Sequence, residues 1–138
     1  MKSTITWTGD RRWLGQTESG HSIVIGNAHG DAPKPGPSAM ELVLMGAGAC
    51  SSFDVVSILE KSRQKIEDVI VELDASRAED PPKVFTRIHM HFVVKGRDLD
   101  PARVARAIEL SVEKYCSATA MLEKTAPVSH DFEIIETA

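Results

Sequence analysis

The sequence predicts an α+β fold of about six antiparallel strands with one long central helix. Three observations lead to this expectation. Short alternating stretches separated by turn residues come first, an unusually apolar stretch runs from Pro37 to Arg63, and alternating and helical stretches follow it. The predicted order is βββ-α-ββ-αα-β, with strands and helices segregated enough to exclude a regularly alternating α/β fold. The 138 residues are expected to form a single domain over 1–138.

An antiparallel meander is predicted at the N-terminus. Apolar residues alternate with polar ones over 3–8, more weakly over 13–17, and again over 21–26. The turn signals Gly9-Asp10 and Ser19-Gly20 separate these stretches. A loop with three prolines and two glycines then covers 27–37.

The long helix is predicted to start at Pro37 or Ser38, since proline suits the first helical turn. It is apolar on nearly all sides and needs cover on every side, whereas a sheet covers only one. We therefore expect a homodimer in which two long helices pack together between two sheets. Gly46 and Gly48 are expected to allow close approach of a partner.

The second half of the chain continues with strands and helices. Asp100 followed by Pro101 is a favourable helix start, and Ser117 is predicted to cap a second short helix. The predicted elements are strands over 69–77, 84–95 and 128–136 and helices over 101–115 and 118–124.

Composition argues against several classes of function. The net charge of −4 gives no general attraction to nucleic acid or anionic lipid. Glu41 and Asp54 interrupt the apolar stretch, so it is expected to be too short and too polar to span a bilayer. The N-terminal residues lack an apolar signal region. We expect a soluble, cytoplasmic protein without nucleic-acid or membrane partners and without a cofactor.

Two cysteines, Cys50 and Cys116, are the main candidates for chemistry. When a protein in a reducing compartment has only two cysteines, they are more often buried, catalytic or redox-active than joined in a structural disulfide. Cys116 comes just before the first turn of a helix, where backbone N–H groups favour a thiolate. Inert burial in the core remains an alternative for both thiols. Ser51 and Ser52 are expected to bond back to helix carbonyls.

Histidines give a weaker signal. His89 and His91 share one face of a predicted strand, and no third ligand is apparent, though His130 on the last predicted strand could come near them. Such spacing can bind metal. An ordinary half-exposed sheet face explains it better, and no metal site is predicted.

Two segments carry a resemblance to a known family. GPSAMELVLMGAGACSSFDVV at 36–56, followed by EKYCSATAML at 113–122, resembles the OsmC/Ohr superfamily of thiol-dependent peroxidases. The early stretch TWTGDRRWLGQTESGHSIVIG resembles the opening strands of OsmC-like proteins, and the likeness is greatest to the YhfA-type branch. The resemblance implies an OsmC-like fold and an intertwined homodimer.

The resemblance also implies a function in oxidative stress defence, the reduction of organic hydroperoxides. Cys50 matches the cysteine that attacks the peroxide and becomes a sulfenic acid, and Cys116 the one that condenses with it to a disulfide. A dithiol reductant, lipoyl-type in Ohr proteins, would restore the thiols. An N-terminal arginine, Arg12 or its neighbour Arg11, and Glu41 would stabilise the thiolate, although the Ohr glutamate falls one position earlier. The alternatives are a non-catalytic module that binds a small ligand and a structural stress protein.

Overall fold

A computed structural model of the chain describes residues 1–138 and contains two three-stranded sheets and three α-helices. The predicted α+β class, with six strands and one long helix, is confirmed. The chain divides into two compact units, Met1–Leu44 and Met45–Ala138. The elements are β1 (Ser3–Trp7), β2 (Arg12–Thr17), β3 (Ser22–Gly26), α1 (Ala39–Lys61), β4 (Lys65–Arg77), β5 (Phe85–Arg97), α2 (Pro101–Leu110), a π-helical turn (Ser111–Tyr115), α3 (Ser117–Leu122) and β6 (Val128–Glu136).

The N-terminal unit holds the predicted meander, in which β2 pairs antiparallel with both β1 and β3. It also holds the start of α1, which begins at Ala39 because Ser38 acts as its cap. The Glu41 N–H donates to Ser38 Oγ at 3.3 Å, and the Ser38 N–H donates to Glu41 Oε2 at 2.9 Å. This reciprocal arrangement is a capping box, which satisfies N–H groups that a helix start leaves free.

The second unit contains the sheet β4-β5-β6 with β5 in the centre. β4 runs antiparallel to β5, as predicted, but β6 runs parallel to it. The expectation of an entirely antiparallel arrangement was therefore wrong for this pair. The physical reason is the connection: α2, the π-helical turn and α3 carry the chain back past the sheet, and such a crossover joins parallel strands.

The core of the second unit lies on one face of β5. The alternating pattern predicted for this strand buries Ile88, Met90, Phe92 and Val94 completely. α2 starts at its predicted cap, where the Ala102 N–H donates to Asp100 Oδ1 at 2.9 Å. Buried side chains from the helices complete the core: Ala47, Val55 and Leu59 of α1 and Val104, Ala107 and Ile108 of α2.

α1 is only partly covered by its own chain. Met45 and Phe53 remain 58% and 73% exposed. By length and composition alone the helix could span a membrane. The expectation that it is too short and too polar to do so was therefore wrong by this criterion, because an 18-residue window of the helix stays apolar on average even though it includes Asp54. A core helix of a globular protein passes the same test, and α1 supplies part of the core described above.

The two glycines of α1 have different surroundings. A Cβ at Gly48 would lie 2.6 Å from Leu73 Cδ1 of β4, whereas a Cβ at Gly46 would meet nothing within 4 Å. Gly48 therefore makes room for a side chain of its own unit, whereas the space at Gly46 is open and its expected role in admitting a partner stays a prediction.

Candidate functional site

The two predicted cysteines lie together in the second unit. Cys50 is on α1 and is half-buried, and Cys116 is the N-cap of α3 with 1% of its surface exposed. Their sulfur atoms and a carboxylate oxygen of Asp54 all lie within 4.8 Å of one another. Both cysteines are free thiols. The site therefore combines two neighbouring thiols with an acidic group.

Local backbone geometry brings these three side chains together. Cys50 and Asp54 are one helical turn apart on α1, so they share a face. Cys116 is placed by the π-helical turn, in which its N–H donates to Ser111 O at 2.8 Å. Ser111 Oγ in turn donates to the backbone oxygen of Ser51 at 2.9 Å. This bond attaches the π-helical turn to α1 beside Cys50.

Cys116 is surrounded by hydrogen-bond donors. Burial raises the pKa of a thiol because the charged form loses its water. Against this, the Ser51 hydroxyl donates to Cys116 Sγ at 3.2 Å, and Thr119 donates from its hydroxyl at 2.9 Å and its N–H at 3.3 Å. A hydrogen bond from the Cys50 thiol adds to these donors, which together outweigh burial and lower the pKa of Cys116. The backbone N–H of Thr119, at the helix start, is one of these donors, and the hydroxyls of Ser51 and Thr119 lower the pKa of Cys116 more than it does.

The pKa of Cys50 shifts the other way. Burial raises it most, and the hydrogen bond that Cys50 gives to Cys116, together with the charge of a Cys116 thiolate, raises it further. The N–H groups of Ala118 and Ser117 oppose these effects without cancelling them. Of the two thiols, therefore, Cys116 loses its proton more readily than Cys50.

Three polar residues around the pair were not predicted as part of a site. Ser51 bonds to Cys116 and Thr119, so the expectation that its hydroxyl returns to a helix carbonyl was wrong. Asp54 lies 3.4 Å from Ser111 Oγ through Oδ2. The helical spacing of Asp54 from Cys50, and of Thr119 from the cap at Cys116, was the available sequence signal.

The other two predicted site residues, Glu41 and Arg12, belong to the N-terminal unit. Glu41 contacts Lys34 Nζ at 2.5 Å as well as Ser38. The hydrogen bond from Lys34 and the backbone N–H of Ser38 lower the pKa of Glu41. Arg12 is exposed on β2, and its guanidinium forms no hydrogen bond or ion pair, whereas Arg11 bonds to His29. The proposed roles of Arg12 and Glu41 thus remain predictions.

The histidines form an exposed polar cluster on the β5–β6 pair. Both His89 and His91 contact Asp131 Oδ1, at 3.0 and 2.7 Å. The hydrogen bond to Asp131 raises the pKa of His91. His130 pairs in register with Met90, on the opposite face of the sheet, so it does not join His89 and His91 as a third ligand.

Comparison with known proteins agrees with this fold. A family model described as OsmC-like protein matches residues 29–131. The chain belongs to the OsmC-like family. This OsmC-like protein is 47% identical to Protein YhfA of Escherichia coli K12 over 135 residues, which cover 98% of each chain.

Solved structures share the fold of this OsmC-like protein. A hypothetical protein from Aquifex aeolicus is 28% identical, with a TM-score of 0.88 over 99% of this chain and 97% of that one. The organic hydroperoxide resistance protein OhrB of Bacillus subtilis is 18% identical, with a TM-score of 0.66 over 96% and 98%. The second likeness concerns the fold alone.

Proposed function

We propose that this protein reduces organic hydroperoxides, with Cys50 and Cys116 as its redox pair. The observation that carries the proposal is the arrangement of the two sulfur atoms, which lie within 4.8 Å of each other, one half-buried and one almost inaccessible. In this proposal a peroxide reaches the half-buried Cys50 from solvent, and the buried Cys116 lies next to Cys50. Membership of a family whose fold is shared by a hydroperoxide resistance protein supports the same chemistry.

The reaction starts with a proton transfer inside the pair. Cys50 passes its proton to the Cys116 thiolate, and the resulting Cys50 thiolate attacks the O–O bond. One oxygen stays on Cys50 as a sulfenic acid, and the other leaves as the alcohol after taking up a proton. Cys116 Sγ then attacks Cys50 Sγ, which forms the disulfide and releases water. Two thiols and one hydroperoxide thus give a disulfide, an alcohol and water.

A dithiol reductant, of the lipoyl type, restores the thiols. Its first sulfur attacks the more accessible Cys50 Sγ, and Cys116 leaves as a thiolate. A thiol with a low pKa leaves faster, and the donors on Ser51 and Thr119 give Cys116 this property. The second sulfur of the reductant then releases Cys50 and forms the reductant's own disulfide.

Arg12 and Glu41 are proposed to assist the thiolate, on the family pattern alone. Arg12 has a guanidinium without a partner. Glu41 already serves the capping box, which supports a structural role beside any catalytic one. Loss of peroxide consumption in Arg12→Ala, with Arg11→Ala as the matched control, tests the first role.

We also propose that the protein acts as a cytoplasmic homodimer. The exposed Met45 and Phe53 on α1 support this proposal, because large apolar side chains on a core helix are usually covered. Light scattering that gives the mass of two chains is the expected result, and Phe53→Glu should shift the population toward one chain. A parent protein that remains monomeric at high concentration would contradict it.

The central experiment mixes reduced protein with cumene hydroperoxide. Both thiols of the chain should be lost, with an intrachain disulfide visible by mass spectrometry. Cys116→Ser should accumulate the Cys50 sulfenic acid, which dimedone traps, and Cys50→Ser should not react. If thiol titration of the parent protein stays constant, the peroxidase proposal fails and the non-catalytic alternatives take its place.

A further inference from the structure

We infer that the reduced site binds a divalent cation of borderline-soft character, such as Zn²⁺, through Cys50, Cys116 and Asp54. Zinc takes thiolate and carboxylate ligands, with metal–ligand distances of about 2.0–2.3 Å that place tetrahedral ligand atoms about 3.5–3.8 Å apart. The three ligand atoms here lie within 4.8 Å of one another. Adjustments of about 1 Å would therefore close them around one ion, which goes beyond the proposed peroxide chemistry.

The charges around the site favour a cation. Two thiols and a carboxylate meet in a part-buried place, and Asp54 forms none of the ion pairs of the chain. The polar groups around Cys116 and Asp54 are neutral and include the hydroxyls of Ser51, Thr119 and Ser111 and the backbone N–H of Thr119. Neutral donors can hydrogen-bond to the thiolates and to the Asp54 carboxylate, but they do not neutralise the negative charge. A bound divalent ion would do so.

The neighbouring hydroxyls are placed as an outer shell. Ser111 Oγ lies 3.4 Å from Asp54 Oδ2, and Thr119 donates to the Cys116 sulfur. Such partners orient metal ligands and tune their basicity. Three protein ligands leave a fourth position for water or another small ligand, and the half-buried Cys50 and Asp54 place it toward solvent.

Metal binding and peroxide chemistry would exclude each other, a consequence that rests on the proposed function. Binding displaces the remaining thiol protons, and the sulfur lone pairs engaged by the ion cannot attack a peroxide. Conversely, a hydroperoxide takes one electron from each of the two thiolates and two protons, and yields an alcohol, water and the Cys50–Cys116 disulfide. The disulfide removes two of three ligands, so oxidation would release the ion.

The test titrates reduced, metal-free protein with Zn²⁺ by calorimetry, and with Co²⁺ to follow thiolate-to-metal charge transfer. We expect one ion per chain and a charge-transfer band that Cys50→Ser and Cys116→Ser each abolish. Asp54→Asn should weaken binding by at least the roughly 10–100-fold typical of outer-shell partners, and Ser111→Ala by about tenfold. Ser57→Ala, on the same helix, is the matched control and should bind as the parent does.

Three outcomes would overturn the inference: no stoichiometric binding, unchanged affinity in Asp54→Asn, or binding abolished by His89→Gln/His91→Gln, which would place the ion on the sheet face. The proposed peroxidase function fails or survives separately. If the thiols react with cumene hydroperoxide but bind no ion, only this inference is lost. If the ion binds but the thiols do not react, only the peroxidase proposal is lost.

Discussion

The hydroxyl of Thr119 should control the charge state of Cys116. It donates to the sulfur at 2.9 Å, the shortest of the donor distances, and Thr119 is fully buried. A hydrogen bond to a charged group contributes about 1.5–3 kcal/mol. Thr119→Val keeps the volume and removes the donor, so at a fixed pH below the titration midpoint we expect about 10–100-fold less thiolate, since about 1.4 kcal/mol is a factor of ten.

The measurement uses Cys50→Ser as the background, so that Cys116 is the only thiol. Thiolate ultraviolet absorbance is followed against pH, and the midpoint of Thr119→Val should move to higher pH. Thr125→Val changes an exposed threonine close by and should leave the midpoint in place. Circular dichroism and Tm establish that each variant is folded. If a folded Thr119→Val protein titrates as its background does, the hydroxyl does not stabilise the thiolate and the reasoning is refuted.

Three further predictions concern stability. Gly46→Ala should stabilise by about 0.5–1 kcal/mol, whereas Gly48→Ala should stabilise less or destabilise, because its Cβ would lie 2.6 Å from Leu73 Cδ1 and that side chain must move; equal effects in denaturant unfolding would contradict the packing argument. Asp100→Ala should cost about 1 kcal/mol through loss of the cap, and an unchanged midpoint would count against it. The hydrogen bond to Asp131 raises the pKa of His91. The contribution of the His91–Asp131 pair to folding stability should therefore be full below about pH 6.5 and decline as pH rises through the raised pKa of His91. Asp131→Asn should flatten this decline in Tm, and a parallel decline would refute the assignment.

Periodicity predicted the elements that local sequence determines. The alternation in β5 identified its buried face, and Asp100 followed by Pro101 identified the start of α2. Strand direction was harder, because the parallel pairing of β6 with β5 depends on the path of the crossover rather than on residues within either strand. The division of six strands into two sheets likewise depends on pairing between distant segments.

The sequence predicted the two cysteines of the candidate site but not the polar residues that surround them. Cys50 and Cys116 were found from residue type and family resemblance, and the helix start supplies one of the donors that lower the pKa of Cys116. Ser51 was assigned to its own helix because its true partner, Cys116, is far away in sequence. Burial and the hydrogen bond to Cys116 raise the pKa of Cys50, an effect that a linear sequence pattern does not show.

The π-helical turn before Cys116 makes the length of this segment more important than its composition. Glu113, Lys114 and Tyr115 are exposed within it, so single substitutions there should have little effect. Deleting one of them would convert the bond from the Cys116 N–H to Ser111 O from a π-helical i+5 span to an α-helical i+4 span, with Cys116 in nearly the same phase. Deleting two would rotate the following chain by about 100°, and Cys116 would then lose its phase relative to α1. Substitutions and single deletions in this stretch should therefore be tolerated, whereas two-residue deletions should not.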